Sequence, residues 1–347
     1  MKLALDAMGG DYAPQKIVEG AVLFARENTT PVILVGKEEL IKKELAKYST
    51  EGLALSIVPA KDVITMSDSP SKASRAKQDA SIVVATKLVA EGKADAVVSA
   101  GNSGAVMTSA LRYLGRLPGV FRPAIATVIP NLKGACIVAD VGANTDCKPE
   151  YLLQFAIMAK HAAQSILNIS NPKVGILSIG EEKEKGNHLT KHAIPLLEAC
   201  AEISFIGNVE GRDITKGKAD VVICDGFVGN IVLKAIEGTA ETVVRMIKTE
   251  MGASFLAKIG YLFIKPAFRQ FRKKVDYAEY GGAPLLGVNG ICIISHGKSS
   301  GKAIKNALRV AEQCVAKKIN DAISQEILKA SAHLTPTFRK REQLTHG

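Results

Sequence analysis

The stretch CIVADVGANTD, residues 136–146, sets the pattern of the chain: a short apolar, β-branched run stops at a polar loop containing glycine. The arrangement returns in LALDAMGGD (3–11), AVVSAGNSGA (96–105), VGILSIGEEKEKGN (174–187), VVICDGFVGN (221–230) and ICIISHGKSSG (291–301). A helix-like stretch usually follows. Repeated strand-helix units of this kind predict a mostly parallel sheet with helices on both faces. In such sheets the working groups sit in loops beyond the carboxyl ends of the strands, so the six loops together point to an enzyme.

Working outward, LALDAM leads through Gly9-Gly10 to a helix near Pro14 and then to PVILVG, a β-α-β opening. Strand ALSIVPA and the polar stretch Met66–Lys77 come next. That stretch reads as a solvated mobile loop or, alternatively, as a lid bringing Lys72, Arg75 and Lys77 to a substrate. Strands ADAVVSA, AIATVIP, ACIVADV, KVGILSIG, SFIGNV, ADVVICDG and ICIISHG alternate with helices DASIVVATKLVAEG, PEYLLQFAIMAKHAAQSIL, HAIPLLEAC, IVLKAIEGTAETVVRMIKTEMG and KAIKNALRVAEQCVAKKINDAI. The expected organisation is one two-lobed α/β catalytic domain over 1–330 and a basic, aperiodic tail over 331–347.

Of 347 residues, 47% are hydrophobic, so a sizeable core is available. Lys and Arg number 45 against 34 Asp and Glu, which favours phosphates, acidic proteins, anionic membranes or nucleic acid as partners. The near absence of aromatics outside one segment argues against a base-stacking surface, and no nucleic acid is expected. Six cysteines without C-x-x-C spacing predict reduced thiols and no zinc framework. With no signal peptide or membrane span legible, the expected location is the cytoplasm.

In 251–274, MGASFLAKIGYLFIKPAFRQFRKK holds four of the ten phenylalanines. At helical spacing Phe255, Ile259, Leu262 and Phe263 share a face and, after Pro266, so do Phe268 and Phe271. With Arg269 and Arg272 alongside, the segment reads as an amphipathic excursion for an anionic membrane surface or, equally, for a dimer interface.

Among the loops, Gly9 and Gly10 let backbone N–H groups approach an anion at a helix start. They do not form G-x-G-x-x-G, and Gly297-Lys298-Ser299 lacks the leading glycine of a P-loop, so dinucleotide and nucleotide chemistry are set aside. Lys185 beside Asn187 can hold phosphate or an oxyanion, with Asn230 as a second donor and His188 as a proton-handling partner. Glu181, Glu182 and Glu184 read as solvated. Gly104, Asn102, Asn144, His296, Lys298 and Ser299 are second-rank candidates for lining a phosphate or acyl site. Asn102, Asn144 and Asn208 could equally be turn residues in left-handed geometry. Cys224 reads as a buried small hydrophobe, and no metal site or other cofactor is called for.

DAMGGDYAP (6–14), SAGNSGA (99–105), DVGANTDC (140–147), IGEEKEKGN (179–187), GNVEGRDI (207–214), CDGFVGNIVLKAIEG (224–238), GGAPLLGVNG (281–290) and the following HGKSSGKAI run in one order over nearly the whole chain. In that order they resemble the bacterial acyl-acyl carrier protein:phosphate acyltransferase family PlsX. The resemblance implies a homodimer with an isopropylmalate dehydrogenase-like α/β fold. It also implies that inorganic phosphate attacks the thioester of a fatty acyl-acyl carrier protein. The acyl phosphate would then pass to a membrane glycerol-3-phosphate acyltransferase, making the protein peripherally membrane-associated. A metal- and nicotinamide-dependent dehydrogenase, a coenzyme A phosphotransacetylase and a basic membrane-binding module are the rival readings.

Overall fold

The computed structural model describes residues 1–252, 260, 263–268 and 279–330. In chain order the elements are β1 Leu3–Asp6, α1 Gln15–Ala25, β2 Val32–Gly36, α2 Glu38–Leu45, β3 Leu55–Pro59, α3 Pro70–Ala76, α4 Ser81–Ala90, β4 Ala96–Ser99 and α5 Ser103–Tyr113. Next come β5 Ala124–Asn131, β6 Gly134–Ala139, α6 Pro149–Ala162, β7 Lys173–Leu177, α7 His188–Glu198, β8 Ser204–Val209, α8 Gly211–Lys216 and β9 Val221–Ile223. The series closes with α9 Gly226–Gly252, β10 Ala283–Leu286, β11 Ile291–Ile294, α10 Gly301–Ala316 and a last helix, α11, over 319–330.

The described strands form one sheet of eleven in the order β3-β2-β1-β4-β11-β10-β5-β6-β9-β7-β8. Within β3-β2-β1-β4-β11 all pairing is parallel, and within β6-β9-β7-β8 it is parallel again. Between these halves β10 is antiparallel to both β11 and β5, and β5 forms an antiparallel hairpin with β6 across Asn131–Gly134. The second half therefore runs opposite to the first. The expected α/β class stands, built as two parallel blocks joined back to back.

Side-chain alternation splits each strand between two cores. Leu3 and Leu5 of β1 join Phe24 of α1, Phe155 of α6 and Leu308 of α10 on one face, while Ala4 joins Val83 of α4 and Val106 of α5 on the other. Complete burial of Phe24 and Phe155 is worth roughly 2–3 kcal/mol each. Both faces are thus covered, which is why the strands read as continuous apolar runs.

The stretch Met66–Lys77, expected as a solvated mobile loop or a lid, is an ordered segment carrying α3 and fastened to Asn102 at the start of α5, termed the lid for its position. Lys77 Nζ donates to Asp68 Oδ2 at 2.8 Å and to Val63 O at 3.0 Å, drawing the lid's ends together. Phe255, Ile259, Leu262, Arg269 and Arg272 of the amphipathic segment, and the tail 331–347, lie outside the described residues. Phe263 is 81% exposed on a short helical stretch over 263–268, and Phe268 is half-buried.

Candidate active site

The six loops do not share one edge: strand direction sorts them into two groups. Loops after β1, β4 and β11 form the first, where α1, α5 and α10 begin. Loops after β6, β9 and β7 form the second, where α9 and α7 begin.

The first group is built around Asp6. Ser99 Oγ donates to its Oδ2 at 2.7 Å while accepting from Gly101 N–H at 3.0 Å, and Met8 N–H donates to Oδ1 at 3.2 Å. Burial pushes the Asp6 carboxyl above its ordinary range, and hydrogen bonds from Ser81, Ser99, Met8 and Gly9 offset this only in part. A Cβ at Gly9 would fall 2.5 Å from Asp6 Oδ2 and 2.8 Å from Gly101 N, so the close approach of these loops requires glycine. Gly10, at φ +109°, lies between Gly297 O and Ala100 O. His296 accepts the Lys298 N–H at Nδ1 (3.1 Å), which leaves its proton on Nε2 when the ring is neutral. Lys298 is exposed and Ser299 buried.

Asn102 and Gly104 serve the lid. Asn102 Oδ1 caps α5 by accepting from Ala105 N–H, and its Nδ2 faces the carbonyl oxygens of Thr65, Met66 and Asp68 at 3.4, 3.3 and 3.2 Å. A Cβ on Gly104 would meet Pro70 Cγ at 2.6 Å.

The second group is built around Asp140, which receives N–H groups from Ile125 (3.0 Å), Ala143 (3.1 Å) and Asn144 (2.7 Å) and the Asn144 amide (2.9 Å). Burial still raises its carboxyl above the ordinary range. Asn144 Nδ2 also donates to Pro123 O at 2.7 Å, so its side chain fastens the loop. Asp225 Oδ1 caps α9 through Val228 N–H (2.9 Å) and brings Asn230, half-buried, against Gly142. Cys224 is buried and its thiol pushed well up by burial, which suits packing and not nucleophilic attack.

On the neighbouring strand end, Asn208 Nδ2 donates to Glu182 O (2.7 Å) and Lys185 O (3.2 Å), shaping the loop that carries Lys185. The Lys185 stem folds over Gly180, and no described carboxylate pairs with its ammonium. Glu181 pairs with Lys218 at 2.9 Å, and Glu182 and Glu184 are exposed. Asn187 Oδ1 caps α7 by accepting from Thr190 N–H at 2.9 Å, leaving its amide N–H₂ to face outward chemistry. His188 is exposed, its ring 3.9 Å from that of His192. Asn102, Asn144 and Asn208 each fasten a loop, and none has a positive φ, so they are not turn residues in left-handed geometry.

One residue the motif search passed over is Glu237. It lies on α9 seven residues beyond Asn230, with Lys234 between them, so all three line one side of the helix. Burial raises its carboxyl, while the charges of His296 and Lys234 pull it down, so α9 carries a carboxylate from the second loop group toward the first. Helical spacing from Asn230 was the available signal.

Two opposed parallel blocks, with glycine loops at helix starts, make the chain an α/β protein with its candidate groups at strand ends. The profile of a family described as "Fatty acid synthesis protein" matches residues 1–322. The phosphate acyltransferase of Desulfitobacterium hafniense is 53% identical over 333 residues, covering 96% of this chain and 99% of that protein. That of Geobacter sulfurreducens is 51% identical over 327 residues, covering 94% of each. The chain therefore belongs to this family, that of the phosphate acyltransferases. Among solved structures, a phosphotransacetylase from Streptococcus pyogenes superposes with TM-score 0.62 at 16% identity, over 91% of this chain and 94% of that one. A 4-hydroxythreonine-4-phosphate dehydrogenase from Klebsiella pneumoniae gives 0.52 at 12%, over 90% and 99%. These two likenesses concern the fold alone.

Proposed function

We propose that, in the acyl transfer to phosphate that defines this family, the donor is a fatty acyl thioester on an acyl carrier protein, handled by one catalytic unit over 1–330. The observation that carries the site assignment is Lys185, whose ammonium meets no described carboxylate on a loop shared with the unspent Asn187 amide N–H₂. A phosphate oxygen attacks the thioester carbonyl carbon, and the resulting tetrahedral oxyanion collapses with cleavage of the C–S bond. The electron pair leaves on sulfur, and the proton brought by hydrogen phosphate ends on the carrier thiol.

With a thiol pKa of about 8.5, the leaving group asks little of a general acid. The enzyme has to hold and align its substrates and stabilise the oxyanion. Lys185 supplies the charge, Asn187 and Asn230 orient the reactants, and His188 handles the proton. Gly9, Gly10, His296, Lys298 and Ser299 line the approach, and Asn102, Gly104 and Asn144 hold the loops in shape.

Purified protein incubated with long-chain acyl-acyl carrier protein should release carrier thiol only when phosphate is present, giving an acyl phosphate that hydroxylamine traps. Lys185→Ala should lower turnover by about 10²–10³-fold. Activity with acyl-coenzyme A and none with the carrier would overturn the donor assignment.

The protein further acts as a homodimer at an anionic membrane surface, passing its product to a membrane glycerol-3-phosphate acyltransferase. Exposed Val243, Met246, Phe263 and Ile264 support this reading. No described helix is long and apolar enough to cross a membrane. Phe263→Asp should reduce flotation with anionic vesicles more than it reduces turnover of soluble substrate; equal losses would favour a buried interface between subunits.

A further inference from the structure

Basic side chains gather on a face beside the lid that the reaction leaves unused. Lys72 and Arg75 are exposed one turn apart on α3, and Arg112 is exposed at the end of α5. Arg112 and Lys87 of α4 flank the Tyr113 ring, 5.5 and 5.3 Å from its centroid. Tyr113 Oη donates to Gln78 Oε1 at 2.6 Å, and Gln78 Nε2 donates to Arg75 O at 2.7 Å, so one hydrogen-bonded chain ties α3, α4 and α5 together.

Lys72, Arg75, Lys87 and Arg112 form no ion pair with a carboxylate among the described residues; Lys87 Nζ donates to Gln78 O at 3.2 Å. Lys77 is paired with Asp68, and the exposed Asp62 and Asp79, joined backbone to backbone at 3.1 Å, pair with none of the four. Four like charges on a preorganised surface produce a field that an acidic partner relieves.

We propose that this face docks the acidic surface of the carrier protein that delivers the acyl thioester; the inference rests on the donor assignment above. Arg112 lies ten residues along α5 from Asn102, about 15 Å from the β4 loop. That set-back suits a substrate carried on a flexible arm, because the partner's body stops at the charged face while the arm continues inward. The lid's other end overhangs the β11 loop, where exposed Met66 lies against Gly297 and offers apolar surface to an acyl chain.

The test compares wild type, the triple variant Lys72→Glu/Arg75→Glu/Arg112→Glu and a charge-matched control, Lys37→Glu/Lys43→Glu/Lys47→Glu around α2, which packs on the opposite face of the sheet from α4 and α5. The triple variant should raise KM for acyl-acyl carrier protein on the order of tenfold, with kcat little changed, whereas the control should match wild type. A second measurement needs no variant: added salt should raise the wild-type KM for the carrier-bound donor more than for an acyl thioester of free pantetheine. Unchanged KM in a folded triple variant, or equal salt dependence for the two donors, would overturn the docking face. Wild type inactive with every carrier-bound donor but active with acyl-coenzyme A would overturn the donor assignment itself and this inference with it.

Discussion

Asp6 and Asp140 occupy matching places in the two halves of the sheet, each buried at the carboxyl end of a strand and followed by a glycine loop, yet they are satisfied differently. Asp140 gathers four N–H donors, one from the backbone of β5, two from the backbone of its own loop and one from the Asn144 side chain. Asp6 has the hydroxyls of Ser99 and Ser81 besides the N–H groups of Met8 and Gly9. Hydroxyl groups can donate or accept, whereas N–H groups only donate. The second half has therefore committed its carboxylate as an organiser of backbone, and the first has kept an environment that tolerates a neutral group. Burial raises both carboxyls, so the difference lies in what each would lose with its charge and acceptor oxygens.

The largest effect should come from Asp140→Asn. An amide has one acceptor oxygen, and its N–H₂ would face either the N–H groups of Ile125 and Ala143 at Oδ1 or the two N–H donors of Asn144 at Oδ2, leaving buried donors unpaired at a cost of about 2–4 kcal/mol. Because Asp140 also packs against Gly226 and Gly229 at the start of α9, the loop carrying Asn230 should shift and activity fall together with stability. Denaturant unfolding and carrier-thiol release measured on one preparation would show the joint loss. A variant as stable as wild type would break the contrast between the two carboxylates.

Asp6→Asn should cost less, about 1 kcal/mol, since the new amide can still accept from Met8 and donate toward Ser99. Its signature is in the pH profile. With its folded-state value raised above 3.8, wild-type Asp6 makes the folded protein bind a proton more tightly than the unfolded chain. Stability from this residue therefore falls as pH rises from about 3.8 through the raised value, and above it the cost is constant. The Asn variant should lose that slope. If it unfolds as readily as Asp140→Asn at neutral pH, the two sites are equivalent after all.

The sequence made much of this visible and hid the rest for physical reasons. Continuous apolar runs announced ten of the eleven strands, because burial on both faces leaves a clear signature. β10 went unseen: Ala283–Leu286 is four residues inside GGAPLLGVNG, paired half with β11 and half with β5. With that strand went the reversal of direction between the two halves. Candidate site residues were easiest to propose where type and loop position coincide, as for Lys185, His296 and Gly9. Asparagines were ambiguous, since a loop that must be pinned, as by Asn102, Asn144 and Asn208, uses the same amide that a ligand site would. Glu237 escaped because it sits on a helix face, where a glutamate looks like any solvated residue until its half-burial is known.

The smallest global effect, and the sharpest on the first half alone, should follow Asp68→Asn. Lys77 holds the Asp68 carboxyl at about 2, helped by the Thr65 N–H at 2.7 Å. A value lowered from 3.8 means that this contact supports the folded lid above about 3.8 and is lost as pH falls toward about 2. The pair is exposed, so global unfolding should hardly change. What should change is local: amide exchange and protease cleavage across 63–77 should quicken in the variant at neutral pH, and in wild type only on acidification. Asn102 supplies the control, because its amide holds the same loop from α5 without a titrating group. If the lid stays as protected in Asp68→Asn as in wild type, the uncharged anchors suffice, and the first half, like the second, is held chiefly by its amides.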